Sequence, residues 1–328
     1  MINLKKIFSF GALFLFLFFV SCVPTAPTSP PTPPLTREGS ESGVAATETA
    51  FFAAMNATAT AQIATIIALP VATGRPRTPT PSPTPGVTFK YDNGVTADQR
   101  KEIEDAAGIA RKYLGEVYNV TIYAFADLTC VPENPDSPDV TCPNVRGNLG
   151  ITTGNLIELN LATESWKRSK ALRYSVVVHE YAHVVQNYSS SKQSASPLAV
   201  GFGPIWLIEG GADYLASWVV ASEKLDDLNT MRASRINAVK RIRLPLRTIE
   251  TRGGAHDAGG GSEYTLGWLA TEFLAKNYGG EQNVLKFFRA TATSPRWTDA
   301  FKDTFGITID EFYDKFEEYR VKNFPPTP

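Results

Sequence analysis

Twelve of the 23 prolines in this 328-residue chain lie between residues 23 and 86, mostly in Thr-Pro and Pro-Pro steps from Pro24 to Pro34 and from Pro76 to Pro85. Proline fixes φ, removes a backbone donor and pushes the residue before it towards extended conformations, so such a stretch favours polyproline II and builds no core. Between the two blocks, Val44 to Leu69 is rich in alanine and threonine and has transient helical propensity. Its apolar part, Ile63 to Leu69, is too short to span a bilayer. Residues 22–86 are therefore expected to form a largely disordered linker, which confines globular structure to residues 87–324.

The segment before the linker reads as an export signal over residues 1–21. Lys5 and Lys6 give a positive start, and Ile7 to Val20 is an apolar run broken only by Ser9 and Gly11. The run ends in Phe19-Val20-Ser21-Cys22, which resembles the lipobox of bacterial lipoproteins, with phenylalanine where leucine is usual. That resemblance implies that Cys22 is lipidated and that the protein is an exported, membrane-anchored lipoprotein facing the extracytoplasmic side; a plain signal peptide followed by an incidental cysteine is the alternative. The two other cysteines, Cys130 and Cys142, sit in a stretch rich in Pro, Asp and Asn. An oxidising compartment favours a disulfide between them, worth roughly 3 kcal/mol for a loop of this size. Two free thiols or a metal pair are the other readings, and the spacing fits no zinc-finger pattern.

A formal net charge of −1, with basic and acidic residues interspersed, gives no basic face for a nucleic-acid partner. Within the globular part, residues 96–118 read as a helix with Thr96 as N-cap, and Val120 to Ala126 as a β-branched, aromatic strand. Asn155 to Leu161 alternates, placing Ile157, Leu159 and Leu161 on a buried face and Glu158 and Asn160 on a solvated one. From Lys170 onward the pattern is almost wholly helical, over 170–188, 204–222, 226–241, 264–278, 281–291, 295–304 and 308–322, the last opening on a capping box at Thr308 and Glu311. The fold class is α+β: a small mixed β-sheet lobe followed by a mainly helical lobe.

Only three histidines are present, and two of them, His179 and His183, flank Glu180 in His179-Glu180-Tyr181-Ala182-His183. On a helix the i, i+4 spacing puts both imidazoles on one face, where they can hold one Zn²⁺, with Glu180 placed as a general base for water. Val176, Val177, Val178, Val184 and Val185 make this a buried helix. Two buried histidines satisfied by carboxylates or backbone would give the same five residues. A second segment, Trp206-Leu207-Ile208-Glu209-Gly210-Gly211-Ala212-Asp213-Tyr214, again sets two acids at i, i+4. Adjacent glycines inside a helix cost about 1 kcal/mol each relative to alanine, which is explained if this helix packs very close to the histidine helix. Catalytic zinc takes three protein ligands, and His179, His183 and Glu209 supply them. Asp213 is then expected to accept a hydrogen bond from the outer nitrogen of a ligating histidine.

Together the two segments resemble the gluzincins, the zinc metallopeptidases that include thermolysin and the membrane-alanyl-type aminopeptidases, and among them the peptidase MA-like domain with its W-L-x-E-G-x-A-x-Y motif. The resemblance covers about Asn155 to Tyr278. It implies a zincin-like architecture, one Zn²⁺ per chain on His179, His183 and Glu209, Glu180 as base, Asp213 behind a ligand, and a peptide or protein substrate. The 25 residues between His183 and Glu209 exceed the gap in either named branch, and Ser189 to Pro204 is expected to absorb them as a surface loop.

For the oxyanion formed during hydrolysis, Tyr264 in Glu263-Tyr264-Thr265-Leu266-Gly267 is similar to the Y-x-x-G tyrosine of aminopeptidase-like gluzincins. The competing donor is His256, in a glycine-rich run from Gly253 to Gly261 that is expected to be mobile and able to fold over substrate. An exposed loop position for His256 and a core position for Tyr264 are equally consistent with the residues. The edge of the 155–161 strand is expected to pair with an extended peptide. The G-x-M-E-N element that binds a free N-terminus in aminopeptidases is absent, which favours an endopeptidase. A binding module on a metalloprotease-like fold without turnover, or a zinc hydrolase of a non-peptide substrate, are the other function classes open to this ligand set.

Overall fold

The computed structural model describes residues 86–128, 131–132, 140–141, 145, 148–189 and 202–327. The expectations for the export signal, the linker up to residue 85, Cys22, Cys130, Cys142 and residues 190–201 of the surface loop lie outside the described residues.

The first lobe is a four-stranded sheet with a helix. Strand β1 (Val87–Tyr91) is followed by α1 (Ala97–Leu114), β2 (Val120–Phe125), the short β3 (Val131–Pro132) and β4 (Val140–Thr141), then β5 (Gly150–Thr153) and β6 (Leu156–Asn160). The sheet order is β1-β2-β6-β5, while β3 and β4 form a separate antiparallel pair. β1, β2 and β6 run parallel and β5 runs antiparallel to β6. Thr96 caps α1 with a complete capping box to Gln99. The helix stops four residues short of the expected end because Gly115, at φ 99°, leaves helical geometry and closes it through Arg111.

Two sequence expectations change here. β6 is an interior strand, flanked by β2 and β5, so the edge on that side of the sheet belongs to β5. Nor is β6 half-solvated: Glu158 and Asn160 are buried along with Ile157 and Leu159. Asn160 meets the cost of burial by donating to the Asn148 carbonyl (3.1 Å) and accepting from the Ala162 amide (3.1 Å). β5 itself had gone unread. Its link to β6 is a two-residue hairpin loop with Gly154 at φ 60°, the first loop position, where a glycine is favoured.

The second lobe is helical: α2 (Lys170–Ser189), α3 (Ile205–Ser222), α4 (Leu228–Val239), a 3₁₀ turn (Leu246–Glu250), α5 (Arg252–Asp257), α6 (Ser262–Asn277), α7 (Gly280–Ala290), α8 (Trp297–Phe305) and α9 (Ile309–Asn323). α2 packs against β5 and β6 of the sheet and against α3. The segment expected as a mobile glycine-rich flap begins as α5, N-capped by Thr251 through the Gly254 amide at 3.1 Å. Gly254 is there because a Cβ would lie 1.7 Å from the Thr248 carbonyl oxygen, so the turn packs directly on the chain before it.

A backbone contact between two helices explains the first of the paired glycines, and differently from the expectation. A Cβ on Gly210 would lie 2.3 Å from the Gly267 carbonyl carbon, and one on Gly267 would lie 2.2 Å from the Trp206 carbonyl oxygen. The close partner of α3 at this point is therefore α6, not the histidine helix, and backbone touches backbone where they cross. Gly211 has only ordinary neighbours, at 3.6 Å and beyond. The adjacent glycines should consequently respond in opposite directions. Gly210→Ala forces the crossing apart and is expected to cost at least about 2 kcal/mol, whereas Gly211→Ala gains up to about 1 kcal/mol of helix propensity. Equilibrium denaturation midpoints of the two variants check this; equal shifts would contradict it.

Candidate metal centre

Serine 169 starts α2 by accepting the Leu172 amide at 3.1 Å (Ser169 Oγ), and the valines on either side of the histidines bury the helix. Tyr181, inside the motif but on another face, anchors α2 to the end of α1 by donating to the Gly115 carbonyl at 3.0 Å. His179 and His183 then project together towards the first turns of α3.

The three expected ligands converge. His179 Nε2 and His183 Nε2 are 3.0 Å apart, His183 Nε2 is 3.3 Å from Glu209 Oε2, and His179 Nε2 is 3.7 Å from the same oxygen. Among the described residues this is the one group of three or more His, Cys, Asp or Glu side chains with ligand atoms so gathered. A tetrahedral ion with bonds of about 2.0–2.1 Å sets its ligand atoms about 3.3 Å apart, so the triangle has the dimensions a zinc ion requires. The two-nitrogen, one-carboxylate donor set suits zinc as well.

Each histidine has a partner behind it. Asp213 Oδ1 lies 3.6 Å from His179 Nδ1, and the other oxygen of Asp213 is ion-paired with Arg235 from α4. Behind His183, Nδ1 lies 2.8 Å from Gln186 Oε1, and the Gln186 amide nitrogen donates to the Ile208 carbonyl at 3.0 Å. Neither Arg235 nor Gln186 was singled out from the sequence. Gln186 left a trace there, as a lone polar residue continuing the apolar run of Val184 and Val185; Arg235 left none, being far along the chain on a different helix.

Protonation follows from these contacts. The Gln186 oxygen only accepts, so His183 carries a hydrogen on Nδ1. The short contact between the two Nε2 atoms requires a hydrogen on one of them, and His179 also turns its Nδ1 towards Asp213. The surroundings of His179 favour its charged, imidazolium form. Burial opposes that charge, but the Asp213 and Glu209 carboxylates and the Glu180 charge outweigh it and push the pKa up to about 10. Burial likewise opposes ionisation of Glu209, and the neighbouring His183 and His179 nevertheless hold its pKa well below the usual carboxylate range. Asp213 is lowered too, against burial, by Arg235 first and then His179.

Glu180 is positioned by the sheet. The Thr152 hydroxyl of β5 lies 2.8 Å from Glu180 Oε2 and 3.0 Å from its carbonyl oxygen. Gly150, two residues earlier on the same strand face, leaves room for the carboxylate: a Cβ there would sit 2.7 Å from Glu180 Cγ and 2.8 Å from Oε1. Neither contact was foreseen, since β5 is short and carries no periodic signal.

Tyr264 opens α6 just before the Gly267 crossing, and its ring lies along His179 with centroids 6.0 Å apart and planes at 26°. Burial first, then the Glu209 charge, raises its pKa well above the ordinary phenol value, so it stays an O–H donor. His256 is on α5 with its side chain 89% exposed, 3.6 Å from Asp257. Of the two candidate donors, the structure brings Tyr264 against a ligand and leaves His256 in solvent.

No protein-family model matches the sequence, and no curated protein matches it. Among solved structures, the chain is similar to an M1 zinc metallopeptidase from Deinococcus radiodurans, at 15% identity and a TM-score of 0.41. An alanine variant of that enzyme aligns at 16% identity and a TM-score of 0.42, covering 73% of this chain and 48% of that one. The same variant bound to a Tyr-Ser-Ala substrate aligns at 16% and 0.40. The chain spans about half the length of these structures, with 48% covered in each of the three.

The imidazolium makes a testable demand on metal uptake. An ion needs the Nε2 lone pair of His179, so binding must expel the proton that the raised pKa of this histidine retains near neutral pH. Zinc titrations by calorimetry near pH 6, in buffers of different ionisation enthalpy, should show about one proton released per ion, and affinity should rise with pH. Binding without proton release would contradict the protonation scheme.

Proposed function

We propose that the protein is a zinc-dependent peptidase that hydrolyses peptide bonds outside the cytoplasm, with one Zn²⁺ per chain on His179, His183 and Glu209. What carries the reading is a ligand triangle of 3.0, 3.3 and 3.7 Å beside which stand a buried carboxylate, Glu180, and a phenol, Tyr264, whose ring lies against His179. The sequence resemblance to gluzincins supports the same assignment. A zinc ion held there supplies Lewis acidity and acidifies water.

The chain's own groups do the rest. Glu180, oriented by Thr152, takes a proton from the attacking water and passes it to the leaving nitrogen as the carbon–nitrogen bond breaks. Tyr264 donates its hydroxyl hydrogen to the oxygen that gains charge when water adds to the carbonyl. Asp213, held by Arg235, keeps His179 oriented with Nε2 towards the ligand triangle. The outer edge of β5, next to Glu180, is where an extended peptide can add as a strand. Gly150, Ile151, Thr152 and Thr153 bring no carboxylate to that edge to hold a free N-terminus, which favours cleavage within a chain over removal of its first residue. Anchoring through a lipid on Cys22 rests on the lipobox-like sequence; among the described residues no helix is long and apolar enough to cross a membrane.

Metal analysis and peptide-library cleavage test this together. Wild type is expected to hold one zinc per chain and to cut peptides with blocked N-termini. Glu180→Gln should keep the zinc and lose about 10²–10⁴-fold in turnover. Tyr264→Phe should lose about 10²–10³-fold in kcat with little change in KM. Zinc without cleavage of any peptide would turn the reading to a binding module or a non-peptide hydrolase, and wild type free of zinc would end it.

A further inference from the structure

We propose that Gln186 is a positioning residue that couples two of the three metal ligands, fixing the ring of His183 and at the same time the stretch of α3 that carries Glu209. This rests on the metal-site reading above.

Gln186 is 2% exposed and follows the buried Val184 and Val185. Burying a primary amide in such surroundings is costly unless both of its ends are used, and both are. The nitrogen donates to the Ile208 carbonyl at 3.0 Å, which sets the amide's orientation and leaves only the oxygen to face His183 Nδ1, at 2.8 Å. An acceptor at that place holds His183 in its Nδ1–H tautomer and turns its Nε2 lone pair towards His179 and Glu209. The other end reaches the residue immediately before Glu209. A single side chain, three residues beyond one ligand, thereby sets the distance between the histidine helix and the carboxylate helix at the 3.3 Å contact of His183 with Glu209.

The two histidines are held by different chemistry. His179 is backed by the Asp213–Arg235 ion pair, and His183 by a neutral amide. An amide orients a ligand without adding charge, where a second carboxylate would add to those of Glu180, Glu209 and Asp213 already around the site. Neutral positioning of His183 is what a site so rich in acids requires.

The test combines an unaltered protein with two variants. In metal-free wild type, long-range nitrogen–proton correlation spectra of the imidazoles should show His183 as the Nδ1–H tautomer; an Nε2–H tautomer overturns the proposal. In competition with a chromophoric chelator, Gln186→Met, similar in length but unable to bond either partner, should bind zinc about 10–100-fold more weakly than wild type. Gln186→Glu keeps an acceptor for His183 but loses the donor to Ile208, and should fall between the two. Wild-type zinc affinity in Gln186→Met overturns the positioning role, and wild-type affinity in Gln186→Glu overturns the coupling through Ile208. Should Gln186→Met not fold, the wild-type tautomer and Gln186→Glu decide. Failure of wild type to bind zinc brings down the metal site itself; zinc binding that is indifferent to Gln186 brings down only this proposal.

Discussion

The candidate site depends on one backbone contact, the crossing of α3 and α6 at Gly210 and Gly267. Glu209 precedes the first of these glycines by one residue, and Tyr264 precedes the second by three, one helical turn away. With any Cβ at the crossing the helices would separate, and the carboxylate and the phenol would leave the imidazoles by a similar distance. α3 also lies against α2, so a contact between two glycines governs where all three helices place their functional groups. Helix propensity is given up at these two positions in return for a close approach that no other residue allows.

The second constraint is electrostatic. Glu180, Glu209 and Asp213 are gathered in a small, mostly buried volume, an arrangement that is unfavourable unless positive charge is brought to it. Without metal, that charge comes from Arg235 and from the proton retained by His179. The raised pKa of His179 retains a proton beside these carboxylates, so metal and proton compete for that imidazole. The site is organised for a cation before one arrives, and its histidine rotamers are fixed by Asp213 and Gln186.

What the sequence disclosed, it disclosed through short-range periodicity. The i, i+4 pairs His179/His183 and Glu209/Asp213 put each pair on one helix face, and the structure brings His179, His183 and Glu209 together with Asp213 behind His179. Thr96 and Thr308 marked helix starts because their caps reach only three residues ahead. The misses are contacts between distant segments. The glycine pair announced a close approach but not its partner, since Gly267 is more than fifty residues away. Thr152 and Gly150 lie on a four-residue strand too short for periodicity, and the interior position of β6, which buries Glu158 and Asn160, is a property of the sheet and not of the strand. Arg235 reaches Asp213 from another helix altogether. Gln186 is the exception, local and readable as a lone polar residue in an apolar run.

The central claim is that His179, His183 and Glu209 hold zinc through two imidazole nitrogens and one carboxylate oxygen. X-ray absorption at the zinc edge, on protein loaded with one equivalent of the metal, tests this most directly. The expected result is a four-coordinate shell of nitrogen and oxygen at about 2.0–2.1 Å, with the outer-shell scattering of two imidazoles, reduced to one in His183→Ala. A shell of oxygen alone, or one containing sulfur, would contradict it.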